Sequence, residues 1–454
     1  MRGGAGLLLG ALWFAAPCRL PGGEHADIRG VGMAGSSAAG AIGLDGAGMN
    51  PARLAWTDGG SAEISLLPCG VRVGSEFLDY ALYRDWFTGG EEGRRHLNEE
   101  AKRAILASFH GDWASAHAEA ELRLFGAACR LPEAGWAAFT VTDHAAGRAL
   151  VPREYAALLL YGNAAGSDSD VEGARMQAEW LREYALTWAF RTGEGVEGDS
   201  WGFGVTLKYL HGFGYYETER FSTLLETDVH GTLTGGVDFR SRSAGAPFPA
   251  GGYPLFPAPA GDGWGLDLGV AADLSDIWSV GAALTDIGAV VWRHGAGSWT
   301  ADTSLVLDDL LDETQVRAVE SVLRGRREEG GPFAVPLPAC LRLGAEVRLH
   351  RVGAFRWMGG ELRAEMDYHQ GLRSTARSVT IPRVSMGLEY IPAAWCALRC
   401  GLAAGGSDGL GVAGGLGIRA GVLEVNIASG TLAWLAQPGS FSHGSLAAGI
   451  RLRW

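Results

Sequence analysis

The last ten residues of the chain, 445–454, read SLAAGIRLRW, and they decide the fold class. Every second residue from Leu446 to Trp454 is apolar, whereas the positions between them include Arg451 and Arg453. A period of two is the side-chain period of a β-strand, so this strand has one apolar and one polar face. The apolar face ends in tryptophan, which is enriched at membrane–water boundaries. The pattern is typical of the closing strand of an outer-membrane β-barrel, and also of a strand in a soluble sandwich.

The composition of the chain favours the barrel. Glycine contributes 70 of 454 residues, about twice the usual share. Hydrophobic residues make up 47% of the chain, yet the mean hydropathy is only +0.06. Apolar residues are therefore plentiful but dispersed, as alternating strands require. Beyond the N-terminus, no run reaches the roughly 18 apolar residues that a transmembrane helix needs.

Charge and cysteine usage exclude several classes of protein. The formal net charge of −13 argues against nucleic acid as a partner, because phosphate binding requires a basic surface. The six cysteines are scattered, and Cys396 and Cys400 would lie roughly 13 Å apart in a strand, too far for a disulfide. No Cys/His cluster has zinc spacing. We therefore expect no metal and no cofactor.

The N-terminus has the features of a secretory signal. A short basic start, Met1-Arg2, precedes an apolar run over residues 5–16, which is too short to span a bilayer as a helix. Small residues follow, and cleavage is expected between Ala16 and Ala26. We assign residues 1–25 to a signal peptide.

Residues 27–56 are rich in glycine and alanine and lack alternation. Small residues let a backbone pack closely, which predicts a segment inside a barrel rather than in its wall. The segment resembles the N-terminal hatch of the FadL-type (long-chain fatty-acid transporter) superfamily, which reads Arg-x-x-Gly-Met-Gly-Gly-Ala, an acidic residue, then Asn-Pro-Ala-Gly-Leu-Ala. The matching residues are Arg29, Gly32, Met33, Gly35, Asp45, Asn50, Pro51, Ala52, Leu54 and Ala55. Arg53 stands where the family has glycine.

This resemblance implies a hatch or plug over residues 26–57 and an outer-membrane β-barrel over residues 58–454. The residues that it implies for a gate are Arg29, Gly32, Met33, Asp45, Asn50 and Pro51.

Alternating stretches recur down the rest of the chain and predict an all-β antiparallel barrel of roughly 14 to 16 strands. Separate strands are expected at residues 201–209 and 221–240. Two short helices are expected in connections, one amphipathic within residues 89–108 and one around residues 154–160 in a loop over 148–163.

A second resemblance lies in the predicted hairpin over residues 263–292. Its return strand ends Leu-Thr-Asp-Ile-Gly-Ala-Val-Val-Trp. This stretch is similar to a signature of FadL-like outer-membrane proteins of unknown function, carried here by Asp286, Gly288 and Trp292. In that family the region that follows leaves the wall, which fits a helix over residues 305–327.

Charged residues share one face of the neighbouring strands near residues 340 and 365. They are Arg342, Glu346, Arg348, Glu361, Arg363, Glu365, Asp367 and His369. An arginine facing lipid at mid-bilayer costs about 2–4 kcal/mol, so we expect this face to line the lumen. These residues either pair with each other and with the hatch, or line a polar pathway for a solute.

No catalytic motif stands in a suitable context, so we do not expect an enzyme. We expect an outer-membrane barrel in a Gram-negative-type bacterium that takes up a hydrophobic or small solute passively through a plugged lumen. The alternative is a non-transporting scaffold that docks partners in a secretion or surface-assembly complex, as in the related type IX secretion barrel. The partners are accordingly outer-membrane lipid and either a hydrophobic small molecule or a secretion-complex partner. A soluble secreted β protein remains a third reading.

Overall fold

The computed structural model describes residues 27–57, 60–86, 97–109, 111–163, 167–192, 199–228, 232–246, 253–307, 325–406, 409–436 and 442–454. The predicted signal peptide lies outside these ranges, as do residues 89–96 of the first predicted helix and residues 308–324 of the last.

The strands are β1 (Ala62–Ser75), β2 (Trp113–Leu131), β3 (Gly135–Pro152), β4 (Ser167–Glu172), β5 (Arg175–Arg191), β6 (Ser200–Thr227), β7 (Leu233–Gly245), β8 (Gly261–Asp273), β9 (Trp278–Trp292), β10 (Gly297–Leu307), β11 (Arg326–Glu329), β12 (Phe333–Pro336), β13 (Cys340–Val347), β14 (Glu361–Gly371), β15 (Arg383–Ala393), β16 (Cys396–Gly405), β17 (Gly409–Ala420), β18 (Leu423–Ser429) and β19 (His443–Arg453). The α-helices are α1 (Ile28–Gly32), α2 (Gly46–Met49), α3 (Tyr80–Trp86), α4 (Glu99–Ala107), α5 (Arg153–Tyr161) and α6 (Ala433–Ala436). Short 3-10 helices cover Gly43–Asp45, Pro51–Trp56, Leu349–Arg351 and Gly353–Met358.

Fourteen of the described strands close into one antiparallel ring. In order around the ring they are β1, β2, β3, β5, β6, β8, β9 and β13 to β19. Strand β1 closes the ring because Ile64 pairs with Leu452 of β19 on one side and with Ala127 of β2 on the other. The predicted antiparallel barrel of about 14 strands, with short helices in its connections, is confirmed.

The apolar face of the ring points outward and the polar face points inward. Met366 is 51% exposed, whereas the next residue, Asp367, is 4% exposed. Leu268 is 45% exposed and Asp267 is fully buried. An apolar outer surface around a polar interior is the arrangement of a membrane-spanning barrel, and it is the opposite of a soluble sandwich. The soluble reading is therefore wrong.

Both ends of the ring's chain lie at one rim, where Glu63 pairs with Arg453. We call this the terminal rim and the opposite edge the distal rim. Tight connections at the terminal rim cover residues 132–134, 274–277, 394–395 and 421–422, whereas most of the long connections lie at the distal rim. Short turns on one side and long loops on the other are usual for outer-membrane barrels.

The wall rises higher on one side of the ring than sequence periodicity indicates. Strand β6 continues without a break from Ser200 to Thr227, and its distal part pairs with β7 instead of β8. The prediction of a separate strand over residues 221–240 is wrong, because the second half of β6 extends beyond the ring on a partner of its own. Strand β10 extends the same sheet by pairing with β7.

Two further boundaries differ from the predictions. The predicted helix over residues 305–327 is wrong at both described ends: residues 305–307 belong to β10 and pair with β7, and residues 326–327 belong to β11 and pair with β10. The predicted loop over residues 148–163 begins too early, because β3 reaches Pro152 by pairing with β2. Helix α5 then occupies Arg153–Tyr161, as expected.

Helices α3, α4 and α5 cover part of the distal side. The predicted amphipathic helix is α4, which is capped where Asn98 Oδ1 accepts a hydrogen bond from Ala101 N at 2.8 Å. Its buried Ile105 packs in a small apolar cluster with Phe109 and Leu160.

Within the described ranges, no helix has both the length and the apolar character needed to cross a bilayer. Cys396 and Cys400 are free thiols, as predicted from their spacing along one strand.

Candidate functional site

Residues 27–57, which we call the internal segment, lie inside the ring. Helix α1 at the start of the segment packs against β16 to β19, and Pro51–Trp56 at its end packs against β5, β6 and β8. These two groups of strands lie on opposite sides of the ring. The segment therefore crosses the lumen, and its largest apolar side chains, Met33, Leu44 and Leu54, are buried.

Carboxylates of the wall accept hydrogen bonds from backbone N–H groups in the middle of the internal segment. The amides of residues 37 and 38 both donate to Asp367 Oδ2 at 2.8 Å. The amides of residues 39 and 40 donate to Glu365 Oε1 at 3.0 and 2.7 Å. Both carboxylates belong to β14 and are buried. Charged acceptors thus take the place of the sheet or helix that this irregular backbone lacks.

Arg29 anchors the first part of the segment through several wall carboxylates. Its Nη2 lies 3.1 Å from Glu389 Oε2, and its Nη1 lies 3.4 Å from Glu365 Oε2. A third carboxylate, Glu346, lies 3.9 Å away. Arg399 donates to Glu389 at 2.7 Å from the neighbouring strand. The result is a buried network in which two arginines are shared among three carboxylates.

The second part of the segment is held by Asn50 and Trp56. The Asn50 amide donates to the carbonyl oxygens of Ala38 at 2.9 Å and of Val270 at 3.1 Å, so it joins two parts of the segment to β8. Trp56 Nε1 donates to Asp273 Oδ2 at 2.8 Å. The Arg53 guanidinium stacks over the Trp56 ring at 4.5 Å and donates to a carbonyl of the segment itself. Arg53, the residue that departs from the family pattern, therefore stabilises the internal segment through contacts within it.

Glycines in the wall permit this close approach. A Cβ at Gly281 would overlap the Ala38 carbonyl oxygen, and one at Gly387 would lie 2.6 Å from Met33 Cβ. Because the wall strands alternate, a larger residue at either position would point at the segment. The wall is thus shaped to the segment at these points.

One carboxyl of the segment is poorly solvated. Burial raises the pKa of Asp27 to about 6, and repulsion from Asp45 adds to the increase. Hydrogen bonds from Ser37 Oγ at 2.6 Å and Gly30 N at 2.9 Å oppose it.

The distal side of the lumen is closed by the connection between β14 and β15. Residues 372–382 cross toward the opposite wall, where Arg377 Nε lies 2.5 Å from Glu179 Oε1 of β5 and Arg148 Nη1 lies 3.1 Å from Ser374 Oγ. Ala376 and Ser378 of this connection are each 3% exposed. We call residues 372–382 the distal strap.

A small polar cavity lies inside the ring beside the distal strap. Its volume is about 50 Å³, which is room for a few water molecules. Its walls include Glu121, His144, Lys208, Asp286, His369 and Arg377. Arg342 also lines it and reaches the segment, with Nη1 2.9 Å from Met49 Sδ. This cavity is therefore too small for an organic solute in this conformation.

Residues 284–292, which resemble the family motif, contain a β-bulge. Asp286 has a left-handed backbone, φ +57°, where the pairing of β8 with β9 shifts register. Its amide donates to Asp267 Oδ1 at 2.7 Å, and its carboxylate accepts from Lys208 Nζ at 2.8 Å. Lys208 also lies 2.9 Å from Asp267 and 3.3 Å from Glu183. The bulge thus positions one buried cation among three carboxylates.

The structure brings together only some of the residues singled out from sequence. Glu346, Glu365 and Asp367 contact the internal segment, and Arg342 and His369 line the cavity. The other predicted lumen residues lie at the terminal rim, where Arg348 pairs with Asp273 at 2.9 Å and Arg363 pairs with a half-exposed Glu361 at 2.6 Å.

Sequence reasoning missed several residues of this site. They are Glu179, Lys208, Asp267, Arg377, Glu389 and Arg399. One signal was available, since Lys208 is one of only two lysines in the chain and lies in an alternating strand.

Comparison with known proteins yields distant likenesses among solved structures. A Pseudomonas aeruginosa FadL homologue is 11% identical over 96% of this chain and 99% of its own, with a TM-score of 0.48. The Ralstonia pickettii toluene transporter TbuX is 12% identical over 97% and 100%, with a TM-score of 0.46. A TodX mutant, described as a monoaromatic hydrocarbon channel, is 13% identical over 94% and 98%, with a TM-score of 0.47.

One of these proteins is described as a FadL homologue, the type that the N-terminal segment resembles. At such identities and TM-scores they carry no conclusion about what this chain binds. No curated protein matches the chain. A family model, by contrast, matches residues 67–431, which is most of the barrel. The chain belongs to this family, DUF5723, a family of unknown function.

Proposed function

We propose that this protein resides in the outer membrane of a Gram-negative-type bacterium and passively admits a hydrophobic or small solute through a plugged lumen. The terminal rim would face the periplasm and the distal rim the exterior. The internal segment would be the plug, and the distal strap a second closure above it. The solute class rests on the resemblance of residues 27–56 to the FadL-type hatch.

One observation supports a movable plug above all: much of the contact between segment and wall is charged or polar. Arg29 sits among Glu346, Glu365 and Glu389, and backbone amides of the segment donate to Asp367. Buried ion pairs add little net stability, because removing charges from water offsets the attraction between them. They have one advantage over an apolar core, which is that water or a polar surface can replace each contact when the segment moves.

The size of the cavity defines what such a movement must achieve. A space of about 50 Å³ is far below the roughly 300 Å³ of a small-molecule site. Passage of an organic solute therefore requires displacement of the internal segment, the distal strap or both.

A disulfide lock tests this requirement. Ser36 Oγ in the segment and Ser385 Oγ in β15 lie 2.9 Å apart, so the pair S36C/S385C is placed to form a bond. The native cysteines are first replaced, and the protein is reconstituted into liposomes. Influx of a long-chain fatty acid, of toluene and of arabinose is compared with protein-free liposomes, before and after reduction.

If the segment must move, the oxidised lock lowers influx to the protein-free level, and reduction restores it. The single variant S36C serves as the control and transports in both states. Equal influx through the oxidised and reduced lock would show that the segment is not the gate.

The filled lumen also favours a second candidate, a non-transporting scaffold for a secretion or surface-assembly complex. Such a barrel needs no path, and its closed interior would be permanent. It predicts that none of the three solutes enters liposomes faster through the wild-type protein than through bare lipid.

A further inference from the structure

The connection between β13 and β14, residues 348–360, differs from the tight turns at the same rim. It forms two successive 3-10 helices, Leu349–Arg351 and Gly353–Met358. Connections at this rim of a barrel are usually short turns, so a connection of this length is unusual.

This connection folds back over the outside of the wall. Leu362 and Tyr390 are cross-strand neighbours on the outward face, in the same register as Met366 and Met386 further along. Leu362 is nevertheless only 5% exposed, whereas Met366 is 51% exposed. The cover comes from the connection, since Tyr390 Oη donates to the Met358 carbonyl oxygen at 3.1 Å. His350 Nδ1 also lies 3.1 Å from the Leu362 carbonyl oxygen.

The surface that the connection leaves uncovered is aromatic and basic. Trp357 is 80% exposed and Phe355 is 36% exposed. Arg351 and Arg356 are exposed beside them. Residues 348–360 contain no aspartate or glutamate, although the whole chain has a net charge of −13. Aromatic rings with arginines on one short element are characteristic of segments that lie in a membrane interface.

The position of Trp357 along the barrel agrees with this chemistry. Trp278, which pairs with Val347 at the start of β9, is 48% exposed at the same rim. Trp395, in the turn after β15, is 61% exposed. Trp357 lies in the connection between β13 and β14, the two strands that stand between β9 and β15 in the ring. It therefore continues an arc of outward tryptophans where lipid meets water.

We propose that residues 348–358 are a phospholipid-binding segment of the terminal rim. Phe355 and Trp357 insert among the acyl chains of the adjoining leaflet. Arg351 and Arg356 bind the phosphates of its headgroups. The segment anchors this side of the barrel in the membrane, independently of whether a solute passes through the lumen.

Lipid retention tests the arginines. Full-length protein is titrated with phosphatidylglycerol in detergent, and bound lipid is counted by native mass spectrometry. Near a membrane surface each arginine contributes enough attraction that R351Q/R356Q should weaken binding about 30-fold. Arg419, an exposed arginine at the same rim, provides the control, and R419Q should bind as wild type. Equal affinity of R351Q/R356Q and R419Q would overturn the proposal.

Depth measurement tests the aromatic residues. Bimane is attached to W357C, with the native cysteines replaced, in vesicles with and without brominated phosphatidylcholine. Bimane at W395C provides a reference at the rim. Quenching by brominated lipid as strong as at W395C, with protection from iodide, is the expected result. Access to iodide without quenching by lipid would contradict insertion and would indicate a surface that faces water, such as a site for a periplasmic protein.

Discussion

Arg451 of the last wall strand donates from Nη1 to Oδ2 of Asp45 in the internal segment at 2.8 Å. The same guanidinium lies 2.9 Å from Glu63 Oε1 of the first strand. One buried arginine therefore links the two strands that close the ring with the segment inside it.

Removal of this arginine should destabilise the barrel strongly. R451M leaves Asp45 and Glu63 buried without their shared cation, which costs about 3–5 kcal/mol. R451M/D45N should recover part of the loss, because one of the two carboxylates that lose Arg451 is then neutral. Urea unfolding in lipid vesicles measures both values, and R419M at the exposed rim serves as the control. A loss no larger than that of R419M would mean that the pair is not a structural link.

A larger side chain on the inner face of the wall should displace the internal segment. G281V directs a side chain at the Ala38 carbonyl oxygen, and overpacking of this kind costs about 1–3 kcal/mol. Trypsin should then cut the folded barrel at Arg29 or Arg53, which are buried in the wild type. G411V is the matched control, since a Cβ there meets nothing within 4 Å. Resistance of G281V to trypsin equal to that of G411V would show that the segment is not held by close packing.

Loosening the distal strap should expose the cavity. Cys340 lines the cavity and is 4% exposed, so its reaction with a small charged thiol reagent reports opening. Because a hydrogen bond to a charged group is worth about 1.5–3 kcal/mol, R377Q should raise the labelling rate about tenfold or more. The measurement uses a variant with Cys340 as the sole cysteine. R373Q, at an exposed arginine of the same strap, should leave the rate unchanged, and an unchanged rate in R377Q would argue against the strap as a closure.

At Asp286 in the bulge, glycine should give a more stable protein than alanine, which is the reverse of the usual order in a strand. Its left-handed φ of +57° costs a residue with a Cβ roughly 1–2 kcal/mol. D286G should therefore be more stable than D286A by about 1 kcal/mol, although both lose the contact with Lys208. Asp267 supplies the comparison. Because its backbone has an ordinary strand conformation, D267A should be more stable than D267G. The midpoints of unfolding measure this order of stability. A D286A variant as stable as D286G would show that backbone strain at this position does not affect stability.

The wall could be predicted from sequence because alternation is a local property. The apolar and polar positions of residues 445–454 and of residues 340–347 give strand, face and lumen side directly. The charged residues 365 and 367 were expected inside for the same reason. Periodicity does not show which strand faces which part of the internal segment. The partners of these two residues in that segment could therefore not be predicted.

The remaining elements depend on contacts between distant parts of the chain. Strand β6 is continuous because β7 supplies a partner beyond the ring, and no local pattern distinguishes this from two strands. The distal strap enters the lumen because Arg377 meets Glu179 across the ring. The bulge at Asp286 was visible only as a resemblance to a family motif, because alternation along a strand does not reveal a left-handed backbone.

Conductance across a planar bilayer tests most directly whether the internal segment closes a polar lumen. The full-length protein is compared with a variant that lacks residues 27–57, and both are first shown to be folded by their heat-dependent mobility on gels. The account predicts that the full-length barrel is almost silent and that the deletion variant opens in stable steps. A folded deletion variant with the same conductance as the full-length protein would contradict it.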